Sequence, residues 1–310
     1  MSKNSENEWI IDKDFDGHRI DYWLKKIKPN LSYPIVCKII RKWQIKVNKR
    51  KVKNSFVVHT GDRVNLFIFI NYEKEKNLDS GLKLKFAEEI KKWVIFKNDE
   101  FIALNKPSGI AVQGGTNIKL NVDMLLDSLK YELKDRPKLI HRIDKNTSGL
   151  LLIARNLKSA KFFGEIFRER KIKKKYLLLV KGLIKEKTGE IKIPIITNKK
   201  ENSATTKYTL ITYFNKISLV LASPLTGRKH QIRKHFSMIG HPILGDKRFG
   251  LKDNSNFFLH SYYTEFKSEK KILIKLIAPI PDYFKEAISR MNVNFNKIED
   301  KIKILLWEPF

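Results

Sequence analysis

His141-Arg142-Ile143-Asp144 sets one carboxylate beside a guanidinium and an imidazole, ahead of the apolar run Leu150 to Ala154. A carboxylate at the mouth of a core strand can serve as nucleophile or base. Thr147, Ser148 and Gly149 are turn formers, so a loop carrying Asp144 is expected to enter a buried strand at Leu150. Taken alone, the same residues read more simply as an Arg142–Asp144 surface pair before an ordinary strand. A second dense polar cluster, Thr226-Gly227-Arg228-Lys229-His230-Gln231-Ile232-Arg233-Lys234-His235, carries two histidines five apart without the Glu of a zinc-protease helix. They read as hydrogen-bonding or phosphate contacts, not metal ligands. Asn105-Lys106-Pro107-Ser108-Gly109 is a turn by its Pro and Gly content, and nothing matches a Walker loop or a dinucleotide fingerprint.

These residues need elements to hold them. Trp93 to Phe96, Phe101 to Leu104, Tyr176 to Val180, Thr205 to Ile211, Ser218 to Ala222 and Phe257 to His260 are strand-like. Helical spacing marks residues 121 to 133 and Ser159 to Arg170. Strands and helices do not alternate regularly, which predicts an α+β fold with a mixed, largely antiparallel sheet. The run Arg168 to Lys175 reads as a solvated turn or a phosphate grip, and residues 286–310 as a helical tail.

An earlier, smaller unit is expected over residues 15–70. Trp23, Leu24 and Ile27 share a helical face, and a second helix starting at Ser32 turns Ile35, Val36, Ile39 and Ile40 inward and Lys38, Arg41 and Lys42 outward. Two short strands follow, joined by a basic turn at Lys49-Arg50. Residues 71–90 read as a charged linker, and the larger domain as residues 91–285.

Composition bounds the partners. The 310 residues hold 63 Lys and Arg against 33 Asp and Glu, a net charge of +30 that calls for a polyanion, nucleic acid first. With 42% hydrophobic residues the chain can bury a substantial core. The single cysteine, Cys37, excludes an internal disulfide and fits a reducing compartment. The start of the chain is polar and no run reaches membrane-spanning length, so a cytoplasmic protein is expected.

The small unit resembles the S4 RNA-binding domain through Arg19-Ile20-Asp21, Ile40-Arg41-Lys42, Val47-Asn48-Lys49 and Gly61-Asp62-Arg63-Val64. The larger one resembles the RluA-type family of RNA pseudouridine synthases. His141-Arg142-Ile143-Asp144 with Thr147-Ser148-Gly149-Leu150-Leu151 is similar to that family's catalytic motif, Lys106-Pro107-Ser108-Gly109 to an upstream one, and Gly227-Arg228 with His230-Gln231-Ile232-Arg233 to a downstream one. Lys175-Tyr176 and Gly240-His241-Pro242 fall in the same order. The S4 unit and Ala111 to Gly115 are most similar to the C-type ribosomal large-subunit enzymes. Ile143, Asn146, Lys229, Gln113 and Phe266-Lys267 depart from the family's usual residues.

The resemblance implies a pseudouridine synthase fold and isomerisation of uridines in large-subunit ribosomal RNA by a monomer that needs no cofactor or metal. Asp144 would be the essential carboxylate, by attack or by sugar deprotonation. Arg142 would insert into the RNA stack to help extrude the uridine. Tyr176 would stack on the flipped base and is a candidate for proton transfer at C5, while Arg233 would pair with Asp144. Leu152 and Ile232 would wall the base pocket. His141, Arg228, His230, Gln231 and Lys106 are expected RNA contacts in the larger domain, and Arg41, Lys42, Lys49 and Arg50 in the smaller. Two other classes stay open: a non-catalytic RNA-binding or ribosome-assembly factor, and an RNA hydrolase using Asp144 and His141.

Overall fold

In the computed structural model, which describes residues 8–29, 31, 33–67, 80–114, 118, 120–197, 200–250, 256–290 and 295–307, the chain divides into two units near residue 80. In the first, helices Ile20–Ile27 and Tyr33–Arg41 bury the faces their spacing predicts. Trp23, Leu24, Ile35, Val36, Ile39 and Ile40 close one core with Ile45, Val47, Val64 and Leu66. Those last four lie in an antiparallel sheet ordered Glu8–Ile10, Arg63–Leu66, Ile45–Val47, Arg50–Lys51. The unit thus begins with a strand before residue 15; the start expected at Ser32 lies outside the described residues. Asn48 and Lys49, at φ of 49° and 64°, make the hairpin turn one residue earlier than expected. The Asn48 side chain fixes it, donating to Asp62 at 2.7 Å and accepting from the Arg63 N–H at 2.8 Å. Arg41, Lys42, Lys49 and Arg50 are all exposed.

Of the linker expected over 71–90, residues 71–79 lie outside the described ones, and from Ser80 the chain is already a helix, Ser80–Lys92. The second unit is built on a large sheet whose main path runs Thr188–Ile191, Thr206–Phe214, Ile217–Pro224, Lys173–Lys181, Leu259–Lys267, Ser148–Ala154, Phe101–Lys106, Val94–Lys97. Every pairing along it is antiparallel except one. Ser148–Ala154 runs parallel to Leu259–Lys267 over just two registered pairs, Ser148 with His260 and Gly149 with Ser261. Gly149 is required there: at φ of 98°, a Cβ would lie 2.2 Å from the Ser261 carbonyl oxygen.

Both faces of this sheet are covered, which is why its strands read as continuous apolar runs. Along Ser148–Ala154, Leu150, Leu152 and Ala154 join Phe101, Phe163 and Phe266 on one side. Leu151 and Ile153 join Leu104, Leu125 and Leu129 on the other. Leu178 and Val180 pack with Ile232 and Phe236, whereas Leu177 and Leu179 pack with Phe284, Ile288, Ile298, Ile302 and Leu306. The last five come from helices Asp282–Ser289 and Phe295–Trp307, so much of the expected tail is core of the second unit. Among the described residues no helix is long and apolar enough to cross a membrane.

Candidate active site

Asp144 sits in a turn closed by the Thr147 N–H donating to its own carbonyl at 3.1 Å, and the strand starts at Ser148, inside the expected turn. The Lys106-Pro107-Ser108-Gly109 turn holds this loop from below. The Gly109 N–H donates to the Lys145 carbonyl at 3.0 Å and the Ser108 hydroxyl to the Asn146 carbonyl at 2.6 Å. Lys106, expected to reach RNA, is instead fully buried, its ammonium donating to the carbonyls of Pro107, Ile110 and Lys145 at 2.7, 2.8 and 3.1 Å. Burial lowers that ammonium to about 7, opposed by the Asp144 charge. It is a brace between two loops. Lys106→Met is expected to cost about 2–3 kcal/mol of stability by leaving three carbonyls short of a donor, read as a fall in thermal midpoint.

The partners of Asp144 come from far along the chain. Its Oδ2 accepts from Arg233 Nη1 at 3.1 Å and lies 2.8 Å from His230 Nδ1. An ionised carboxylate only accepts, so Nδ1 of His230 carries the proton in that contact. Burial raises the Asp144 carboxyl, but His230 and Arg233 more than offset this and hold it below its ordinary value. His230 was expected on RNA; the geometry gives it to the carboxylate instead, beside Arg233. His230 occupies a left-handed conformation, φ 57°, immediately before helix Gln231–Met238.

Arg233 is itself clamped. Its Nε and Nη2 donate to the two oxygens of Asp246 at 2.8 and 2.7 Å, and its guanidinium lies 5.0 and 5.2 Å from the rings of Phe249 and Phe257. Asp246 is 1% exposed and also accepts from the Arg248 and Phe249 N–H groups at 3.0 and 3.1 Å. Burial alone lowers the guanidinium, whereas Asp246 and then Asp144 carry it above its ordinary value. In the sequence Asp246 only ends the turn-rich stretch Gly240 to Asp246. Thirteen positions from Arg233, it carries no periodicity that would join the two.

A cavity of about 120 Å³ opens over the carboxylate, lined by Asp144, Tyr176, Arg142, Lys174, Ile143, Ile232, Leu259 and the 226–233 segment. Ile232 lines this cavity. Leu152 does not: side chains alternate along its strand, and it points into the core with Phe101 and Phe163, leaving Ile143 and Leu259 as the other apolar walls. Burial first, with the Asp144 charge adding to it and Ser261 opposing, pushes the Tyr176 phenol up to about 12, so it stays protonated. Gln231, a further expected RNA contact, is 4% exposed with both ends of its amide engaged. Its oxygen accepts from the Thr226 hydroxyl and the Arg228 N–H, and its nitrogen donates to Thr205 and Thr206. It braces the loop that presents His230.

His141 has a structural task as well. Its Nε2 accepts from the Leu152 N–H at 2.8 Å and its ring stacks on Phe167 at 4.8 Å. Burial, with a smaller contribution from Lys174, lowers it to about 3, so it is neutral near pH 7. A neutral buried imidazole supports folding fully above its ordinary value of 6.5, and that support is lost as pH falls through about 3. The melting midpoint of the intact protein should therefore fall more steeply over that window than that of His141→Gln, the two curves converging toward acid.

Arg142 and Arg228 line both the small cavity and a groove of about 980 Å³ bounded also by Arg168, Arg170, Lys173, Lys174, Lys207 and Lys275, with Glu265 as its acid. The basic run 168–175 is therefore no simple turn. Lys173 pairs with Glu265 at 2.9 Å and Lys175 donates to the Leu305 carbonyl at 2.6 Å, while Lys174 faces both cavities.

Comparison with known proteins gives the chain its relatives. Residues 100–238 match the family model for RNA pseudouridylate synthase, and residues 18–64 that for the S4 domain. The protein from Rickettsia conorii named ribosomal large subunit pseudouridine synthase C is 36% identical over 297 residues, covering 86% of this chain and 95% of that one. Its namesake from Vibrio parahaemolyticus is 33% identical over 249 residues, 77% and 79% of the two chains. The structure of human RNA pseudouridylate synthase domain containing 4 superposes with a TM-score of 0.61 at 21% identity, over 69% of this chain and 98% of its own, which shows the shared fold. With these relatives spanning most of its length, the chain belongs to the RNA pseudouridylate synthase family and carries an S4 domain at its N-terminal end.

Proposed function

We propose that this chain converts specific uridines of large-subunit ribosomal RNA to pseudouridine, with Asp144 as the reacting carboxylate and the target base flipped out of the RNA. The observation that carries the reading is the Asp144 carboxylate, held by Arg233 and His230 in a cavity suited to one base and lined also by Tyr176, Ile143, Ile232 and Leu259. The reaction breaks the N1–C1′ bond, turns the base and forms a C5–C1′ bond, with the C5 proton leaving and N1 gaining one. An anion positioned at the sugar or base can begin this by attack or by deprotonation. Tyr176 offers the flipped base a stacking surface and sets a phenol beside it for the proton transfer at C5.

Extruding a base costs a few kcal/mol, and phosphate contacts offset it. Arg142 is exposed where the small cavity meets the basic groove, placed to fill the gap left in the stack. Arg228 is tied by its Nε to the Ser203 carbonyl at 3.0 Å and turned to the same groove, suited to a flanking phosphate. Arg41, Lys42, Lys49 and Arg50 give the S4 unit an exposed basic face for backbone contacts. In this reading the enzyme works as a cytosolic monomer. The names of the similar Rickettsia and Vibrio proteins support large-subunit RNA as the substrate.

The test is incubation of the purified protein with large-subunit ribosomal RNA transcribed with C5-tritiated uridine, alongside pseudouridine mapping in cells lacking the protein. Tritium release with loss of defined pseudouridines is expected. RNA binding without release would leave an assembly factor, and chain cleavage a hydrolase; either overturns the proposal.

A further inference from the structure

Helix Tyr33–Arg41 ends in a Schellman motif: the Gln44 N–H donates to the Ile39 carbonyl at 3.1 Å and the Trp43 N–H to the Ile40 carbonyl at 3.0 Å. The residue between cap and exit in that motif is left-handed, and here it is Trp43 at φ 59°. Glycine takes that conformation freely, whereas a bulky L-residue is strained in it. Nor does the core recover the strain. Trp43 is 42% exposed and stands outside the unit's apolar cluster, in contrast to Trp23 at 2%. A large aromatic ring held out in solvent on an unfavourable backbone contributes little to folding, which directs attention to what surrounds it.

The ring borders a hollow of about 360 Å³ with Arg19, Arg41, Lys53, Asn54 and Ser55, and the ammonium of Lys51 lies 5.6 Å from its centroid. Arg19 is committed to Asp21 through two hydrogen bonds of 3.1 and 2.6 Å, and Arg41 is tethered through Nε to the Cys37 carbonyl at 3.2 Å. The hollow thus combines a π-face, cations for a phosphate and short polar side chains for a base edge. Duplex RNA offers no free base face, so this combination suits an unpaired nucleotide.

We infer that the S4 unit carries a stacking site for one unpaired RNA base on Trp43, with Arg41, Lys51 and Lys53 receiving the adjoining phosphates. The inference rests on the reading of this unit as an RNA-binding domain and adds to it a preference for single-stranded or bulged substrate. The site would fix where the polymer enters the first unit by an unpaired position instead of by charge alone.

The experiment uses the full-length protein with a labelled single-stranded oligoribonucleotide and a blunt duplex of the same length, compared by anisotropy for wild type, Trp43→Gly and Trp43→Phe. Trp43→Gly should weaken single-strand binding roughly 5- to 50-fold, the stacking contribution of one base, and leave the duplex within about 2-fold. Trp43→Phe, which keeps a ring, should restore most of the loss. Photocrosslinking of 5-bromouridine RNA to wild type should give an adduct at Trp43, a readout that does not depend on how well a variant folds. Equal single-strand affinity for wild type and Trp43→Gly, or adducts confined to other residues, would overturn the inference. An Arg41→Gln/Lys49→Gln/Arg50→Gln variant separates the two levels. If it binds RNA as wild type does, the RNA-binding reading of the unit fails; if it weakens while Trp43→Gly does not, only the stacking site fails.

Discussion

Asp144→Asn is expected to lower turnover at least ~10³-fold while RNA affinity stays within about 3-fold. Asparagine matches the shape and can still accept from Arg233 and His230, so the loop loses a charge and not its anchors. The braces from Lys106, Ser108 and Gly109 act on the backbone of residues 145 and 146 and do not involve the carboxylate. Stability should consequently fall by only about 1 kcal/mol. Tritium release under single-turnover conditions, paired with a binding isotherm on the same RNA, makes the measurement. Turnover above a tenth of wild type would remove Asp144 from the chemistry, and the assembly-factor reading would then stand.

Asp246→Asn should be the most destabilising polar substitution near the site, although Asp246 lines neither the cavity nor the groove. The carboxylate receives four donors, two from Arg233 and two from backbone N–H groups. An amide presents one oxygen and one N–H₂, so some donors would face a donor, and the buried guanidinium would lose its bidentate partner. Removing one side of such a pair costs about 3–5 kcal/mol. The functional effect passes through Arg233. Released from Asp246, its guanidinium is free to shift against Asp144, and a displacement of ~1 Å at a positioned group lowers rates about 10²-fold. Thermal melting reads the first effect, and turnover well below the melting midpoint reads the second. A lower melting point with full turnover would make Asp246 purely structural. Asp246→Glu, which keeps the charge, should recover part of the stability.

The fold was readable where burial writes a strong period. The strands around Leu150 and Leu178, the two S4 helices and the helix after Asn156 emerged from apolar spacing, because each hides a continuous face. Ends were less legible, since a turn such as Asn48-Lys49 is set by a side-chain bond to Asp62 that lies elsewhere in the chain. The terminal helix was expected only as a tail, although Ile298, Ile302 and Leu306 at four-residue intervals mark the face that packs into the core. At the site, polar residue types identified the participants but not their tasks. Lys106, His141 and Gln231 look like RNA contacts in a basic motif, and each is turned inward by partners that spacing cannot reveal: three carbonyls, the Leu152 amide, and the 205–206 and 226–228 backbone with its hydroxyls. Asp246 was silent for the same reason.

The two-residue parallel join at Ser148–Gly149 has a consequence for assembly of the site. Asp144 hangs from the half of the sheet built by residues 94–154, whereas Tyr176, His230, Arg233 and Asp246 belong to the half built from Lys173 onward. Each half can pair its own strands, but the carboxylate meets its cation only when the two are joined. The electrostatics of the pocket therefore exist only in the joined sheet, and a methyl group at Gly149 would work like a wedge driven into a seam. It would part Asp144 from Arg233 without touching either one.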